Sequence, residues 1–279
     1  MEKLTFATPN SWQDVKDFGC ATLRFANTDA AIATYEKELK GAVLAGTCTQ
    51  ILEKAAQMEQ ADAAIVVFGN AGGENQFLKD LQKIQLCPMV GGGAAFADKP
   101  GLIPGGQEAA VFFIRDDRYT FQTETQCIHE EKLDTCALTL EDLRTIASIN
   151  GQDPAAYLME KKASLGLPET DFEHLTLTDA KGVNAHLSSV DGKIKSGRDL
   201  EEIMDLRYVP HATVYDRIRK FYDDPDAIIF GCAGLGGLLD QPLHTQNLGL
   251  FLFGEVCTVD GVAEFGNLML SKLRILPKT

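Results

Sequence analysis

Six consecutive apolar residues, Ala63 to Phe68, are rich in Ile and Val and predict a strand buried on both faces. Phe77, Leu78, Leu81 and Ile84 then recur at helical spacing and predict a helix over 74–85. A strand at Pro88–Val90, a Gly91-Gly92-Gly93 run, a loop and a strand at Ala109–Ile114 complete one unit. Upstream, 18–25 predicts a strand, 29–39 a helix capped by Asn27 or Thr28 with Asp29 in its first turn, and 49–57 a further helix. Downstream, Tyr119–His129 predicts a polar strand, and Thr139–Asp142 reads either as a capped helix start or as a polar connector. Asn150-Gly151 is a turn. Asp153-Pro154 opens a helix that runs to about Leu165 and stops at Gly166, with Pro168 beyond. Asn184–Val190 and Lys193–Ser196 flank Asp191-Gly192, a hairpin turn; a helix over Tyr215–Tyr222 follows, then a turn at Asp223–Asp226.

The pattern repeats. Phe68-Gly69-Asn70-Ala71-Gly72-Gly73 reappears as Phe230-Gly231-Cys232-Ala233-Gly234-Leu235, a shift of 162 residues. Glu108–Ile114 is matched with Glu264–Leu270 at a shift of 156, as though six loop residues were lost. The expected architecture is α/β, with α+β left open: two related β-α-β-β units in a two-lobed, duplicated arrangement with mixed sheets. The expected domains are 1–134 and 135–279. Pockets form at interfaces between such halves.

Composition narrows the function classes. The net charge is −14, and phosphate contacts need clustered Lys and Arg, so nucleic-acid binding is not expected. No apolar run reaches the ~18 residues of a membrane helix, and the first residues carry no apolar signal region. Seven dispersed cysteines without a Cys-x-x-Cys suit reduced thiols in the cytoplasm. Cys127, His129 and Cys136 fit no usual zinc spacing, and no nucleophile elbow is present; no metal, cofactor or catalytic residue is assigned.

The candidate chemistry is therefore a ligand site at the strand ends. The glycines of each Phe-Gly-x-Ala-Gly loop either let backbone N–H groups cradle a small anion or simply make a tight turn. Glu255 lies in the otherwise apolar run Phe251–Val256. It either binds a ligand's ammonium or hydroxyl, pairs with a base such as Arg207, or caps backbone amides, because a lone buried charge is costly. Cys232 either fills a small core space or reacts. Asn267 is polar within an apolar stretch and faces the same alternatives. Glu255 breaks the repeat opposite Gly93, as Cys232 does opposite Asn70.

These residues resemble a known family. Asp226–Gly234, Gly249–Val256 and Glu264–Asn267 resemble the C-terminal part of the FIST (F-box and intracellular signal transduction) family. Ile149–Leu158 is similar to its Asn-Gly-x-Pro-Ala helix start, and Val90–Ala94 with Ala109–Ile114 resembles its N-terminal half. The resemblance makes 1–134 and 135–279 its N-like and C-like domains. It implies an intracellular sensory module that binds a small ligand, an amino acid or related metabolite, and passes a signal to a protein partner. Leu235, Gly266 and Met269 depart from the family's Arg, His and Thr. The expected ligand-binding set is Gly69, Asn70, Gly92, Gly93, Cys232, Gly234, Gly254, Glu255 and Asn267. The alternatives are an enzyme using Cys232 or Glu255, and a scaffold subunit whose pocket has decayed.

Overall fold

The computed structural model describes residues 39–69, 72–93, 108–169, 172–232, 234–235, 238–239, 249–252 and 254–279. The strand predicted over 18–25, the helix over 29–39 except Leu39, and Asn70 lie outside them.

The described residues form an α/β fold of three sheets and flanking helices. The first unit runs β1 (Gly41–Gly46), α1 (Cys48–Ala55), β2 (Ala63–Phe68), α2 (Glu74–Ile84), β3 (Met89–Gly93) and β4 (Ala109–Ile114). Thr47 and Gln50 form a capping box that starts α1. The strand β1 had no counterpart in the sequence reading. The glycines 91–93, expected to follow a strand that ends at Val90, are themselves strand. Gly91 has φ +136°, and a Cβ there would meet the Val66 carbonyl oxygen at 1.8 Å, so β2 and β3 approach closely only because this position is glycine.

The second unit repeats the first. In the first, β1 and β4 are antiparallel, β4 and β2 antiparallel, and β2 and β3 parallel. The strands β5 (Tyr119–Cys127), β17 (Met269–Pro277), β13 (Ala227–Cys232) and β14 (Gly249–Leu252) are ordered and oriented in the same way. Register corrects the sequence alignment. Phe68 pairs with Ala109, and Phe230 pairs with Ser271, so the shift of 162 persists and the matching strand is β17 rather than 264–270. Phe68 pairs also with Gly93, whereas Phe230 pairs with Leu250, so Leu250 and not Glu255 stands in Gly93's place.

Glu255 belongs instead to an added hairpin, β15 (Glu255–Val259) and β16 (Val262–Gly266). Gly254, at φ +83°, separates it from β14, so 251–256 is not one strand. Leu268, at φ +53°, likewise separates β16 from β17, and Asn267 stands in that break. The hairpin pairs with the edge of β3, giving the order β1-β4-β2-β3-β15-β16, while the second repeat keeps its own four-stranded sheet, β14-β13-β17-β5.

Between β5 and β13 lies an antiparallel sheet of order β10-β11-β7-β6-β12-β8-β9. It is built from β6 (Glu131–Asp142), β7 (Thr145–Ile149), β8 (Leu175–Thr178), β9 (Asn184–Ala185), β10 (Leu187–Val190), β11 (Lys193–Ser196) and β12 (Ile203–Tyr208). The segment 139–142 lies within β6, neither a helix start nor a connector. Residue 134 also falls inside β6. Helix α3 (Pro154–Leu165) has the expected Asp153 cap and left-handed Gly166, and α4 (His211–Tyr222) starts four residues before the predicted 215. Each of the three sheets has its own apolar cluster.

Candidate functional site

Gly92, Gly93, Cys232, Gly234, Gly254, Glu255 and Asn267 come together at the seam between repeats, Gly69 does not, and Asn70 lies outside the described residues. Glu255 opens β15 opposite Gly92 of β3 on one side and Gly266 of β16 on the other. The N–H of Gly93 donates to the Gly254 carbonyl at 3.1 Å. A Cβ on Gly254 would meet the Phe265 ring at 2.4 Å and the Asn267 amide at 2.8 Å, so this glycine lets the chain turn against Asn267. A Cβ on Gly234 would meet Leu268 at 2.8 Å, Glu173 Cγ at 3.4 Å and Cys232 Sγ at 3.8 Å.

Glu255 has no solvent exposure. Its Oε2 accepts the Met269 N–H at 3.2 Å, and its Oε1 has no hydrogen-bond partner among the described residues. It forms no ion pair with Arg207, which lies 3.7 Å from Asp205, so of the three sequence alternatives only the amide-capping one has a bond in the structure. Burial pushes the Glu255 carboxyl well above the usual carboxylate range, against the opposing pull of the Met269 N–H and the Cys232 thiol. Cys232 is itself buried, and burial together with the neighbouring Glu255 pushes its thiol up to about 12. The buried Tyr222 phenol and Cys257 thiol are raised for the same two reasons. The result is a buried cluster of neutral groups in which one carboxyl oxygen has no hydrogen-bond partner among the described residues.

Asn267 is buried, donates its backbone N–H to Asn184 O at 2.9 Å, and accepts the His186 N–H on Oδ1 at 3.4 Å. It therefore ties the C-terminal repeat to the middle sheet. Gly69 follows β2 and commits its N–H to Glu108 O at 2.8 Å. The neighbouring Phe68 lines a cleft of about 530 Å³ on the first repeat, floored by Phe77 and Leu52 and rimmed by Cys48, Asp80 and Glu108.

The sequence reading missed Glu173, His186, Asn184 and Tyr222, which come to the seam from the middle segment and α4. Their signal is absent locally, because each lies in an ordinary stretch of strand, loop or helix. Cys127 and Cys136, weighed as metal ligands, sit in different clusters, Cys127 against Asn184 and Cys136 against the Tyr157 hydroxyl. Among the described residues no group of three His, Cys, Asp or Glu side chains is placed to hold a metal, and no helix is long and apolar enough to cross a membrane.

Compared with protein-family models and with curated proteins, the chain finds no significant match.

Proposed function

We propose that this protein is a cytoplasmic sensory module of the FIST type that binds a small ligand at the seam between its repeats and passes the event to a protein partner. The observation that carries this reading is Glu255: a wholly buried carboxyl at the junction, with one oxygen lacking a donor. An unsatisfied buried acceptor costs about 1–3 kcal/mol, so a ligand N–H or O–H that reached Oε1 would recover part of that cost. Such a ligand is an amino acid or a related amine. Cys232 is weak as a nucleophile here, because a thiol pushed up to about 12 is protonated at neutral pH.

The test is a thermal-shift and calorimetric screen of the twenty amino acids and short primary amines against the wild type and Glu255→Gln. A true ligand at about 100 times its Kd stabilises the fold by about 2.7 kcal/mol, and the substitution weakens that effect. A screen without hits, or hits equal in both proteins, overturns the proposal. The second reading, a scaffold with a filled pocket, draws on Leu235 and Met269. Both replace polar family positions and both are buried in apolar clusters. It predicts no hits.

A further inference from the structure

The histidines, scattered in the sequence, gather in space. Of five in the chain, four meet where the backbone crosses between the four-stranded sheet and the seven-stranded middle sheet. His129 lies on the outward crossing from β5 to β6. It is wholly buried, its Nε2–H donates to Glu173 O at 2.8 Å, and its Nδ1 has no partner among the described residues. His211 opens α4 on the return crossing from β12, and His174 immediately precedes β8. The His174 Nδ1–H donates to Val209 O at 2.8 Å, and its ring meets that of His211 edge-on, with centroids 5.4 Å apart. His186 approaches between β9 and β10; its Nε2 is also buried without a bond, 3.8 Å from Glu173 Oε1. Arg217 of α4 donates to Ile128 O at 2.7 Å and pairs with Glu130 at 3.1 Å.

We propose that this cluster is a proton-operated joint: acidification charges His129 and His186 inside the seam, and the four-stranded and middle sheets part there before either sheet unfolds.

The surroundings of His129 favour repulsion once it is charged. His174 from the start of β8, His186 from the β9–β10 connection and Arg217 from α4 face it as present or potential cations, with His211 behind His174. Glu130 is bound to Arg217, and Glu173 offers His129 its backbone carbonyl while its carboxylate faces His186. Burial, with those cations, lowers His129 from 6.5 to about 4, and burial lowers His186 against the pull of Glu173. A histidine depressed in the fold contributes stability that is complete above its unfolded value near 6.5 and is lost as pH falls towards 4. The His129 shift alone raises the population of seam-open molecules about thirtyfold between pH 7.5 and pH 5.

The experiment uses the intact protein with 13C-labelled histidine. NMR follows each imidazole from pH 7.5 to about 3 while amide exchange is read at 128–130, at 209–211 and in β2 down to pH 5. The expected result is His129 titrating near 4 and protection at the two crossings falling about thirtyfold by pH 5, with β2 unaffected. His129→Gln retains a donor for Glu173 O and cannot charge, so it removes most of that fall. His186→Gln removes part of it and serves if the first variant does not fold. His129 titrating at or above 6.5, uniform loss of protection in all three sheets, or an unchanged pH response in the folded variants overturns the proposal.

Discussion

Glu255→Gln is the sharpest probe of the seam. The amide keeps an oxygen for the Met269 N–H, preserves volume and removes the carboxyl's ionisation. In the wild type the carboxyl is fully buried and raised well above 4.5, so the folded state holds a proton that the unfolded state releases above its ordinary value. Stability from a raised acid is complete below the unfolded pKa and falls with rising pH until the folded pKa is passed, at 1.36 kcal/mol per pH unit. Between pH 5.5 and 7.5 the wild type therefore loses stability relative to the variant, by at most about 2.7 kcal/mol. Urea unfolding followed by circular dichroism at several pH values measures this difference, and taking it between the two proteins cancels the opposing histidine contribution. A difference that does not change with pH, or a variant that loses ground as pH rises, refutes the reasoning that Glu255 is held neutral by burial.

Three further outcomes follow from the packing. Gly91→Ala drives a methyl into the Val66 carbonyl at a left-handed φ and costs about 3 kcal/mol or more in urea unfolding, because β2 and β3 cannot separate without breaking the first sheet. Asp179→Asn weakens the buried pair with Arg198, whose guanidinium lies 3.0 Å away and is itself buried; the cost is about 3–5 kcal/mol, read as a lowered urea midpoint. Cys232 stays unmodified by a thiol-reactive disulfide reagent at pH 8 in the native state and reacts at once in urea, as mass spectrometry of digests reports; rapid native labelling contradicts a buried thiol raised to about 12.

What the chain declared on its own was local. The Asp153 cap, Pro154 and Gly166 bound α3; the unbroken apolar run 63–68 is β2; the Asp191-Gly192 turn makes its hairpin; and the Phe-Gly repeat announced duplication. Each of the first three depends on residues near one another in the chain. Which strands pair is not local: β5 lies beside β17, whose residues come some 150 positions later, and loop-closure entropy grows too slowly with length to favour a nearer partner. Hence the sequence alignment slid by six residues at 264–270, where the added hairpin interrupts the repeat, and hence the strand expected to end at Val90 runs on through glycines 91–93, which lie against β2. Glu255 was conspicuous in sequence because a carboxylate in an apolar run has to be accounted for. Its neighbours were not, because Tyr222 of α4, Cys232 at the end of β13 and the Met269 N–H meet it only in the folded chain. Composition and periodicity determine which segments are buried. The tertiary structure alone decides what a buried polar atom meets, since that is set by the register of strands far apart in the chain.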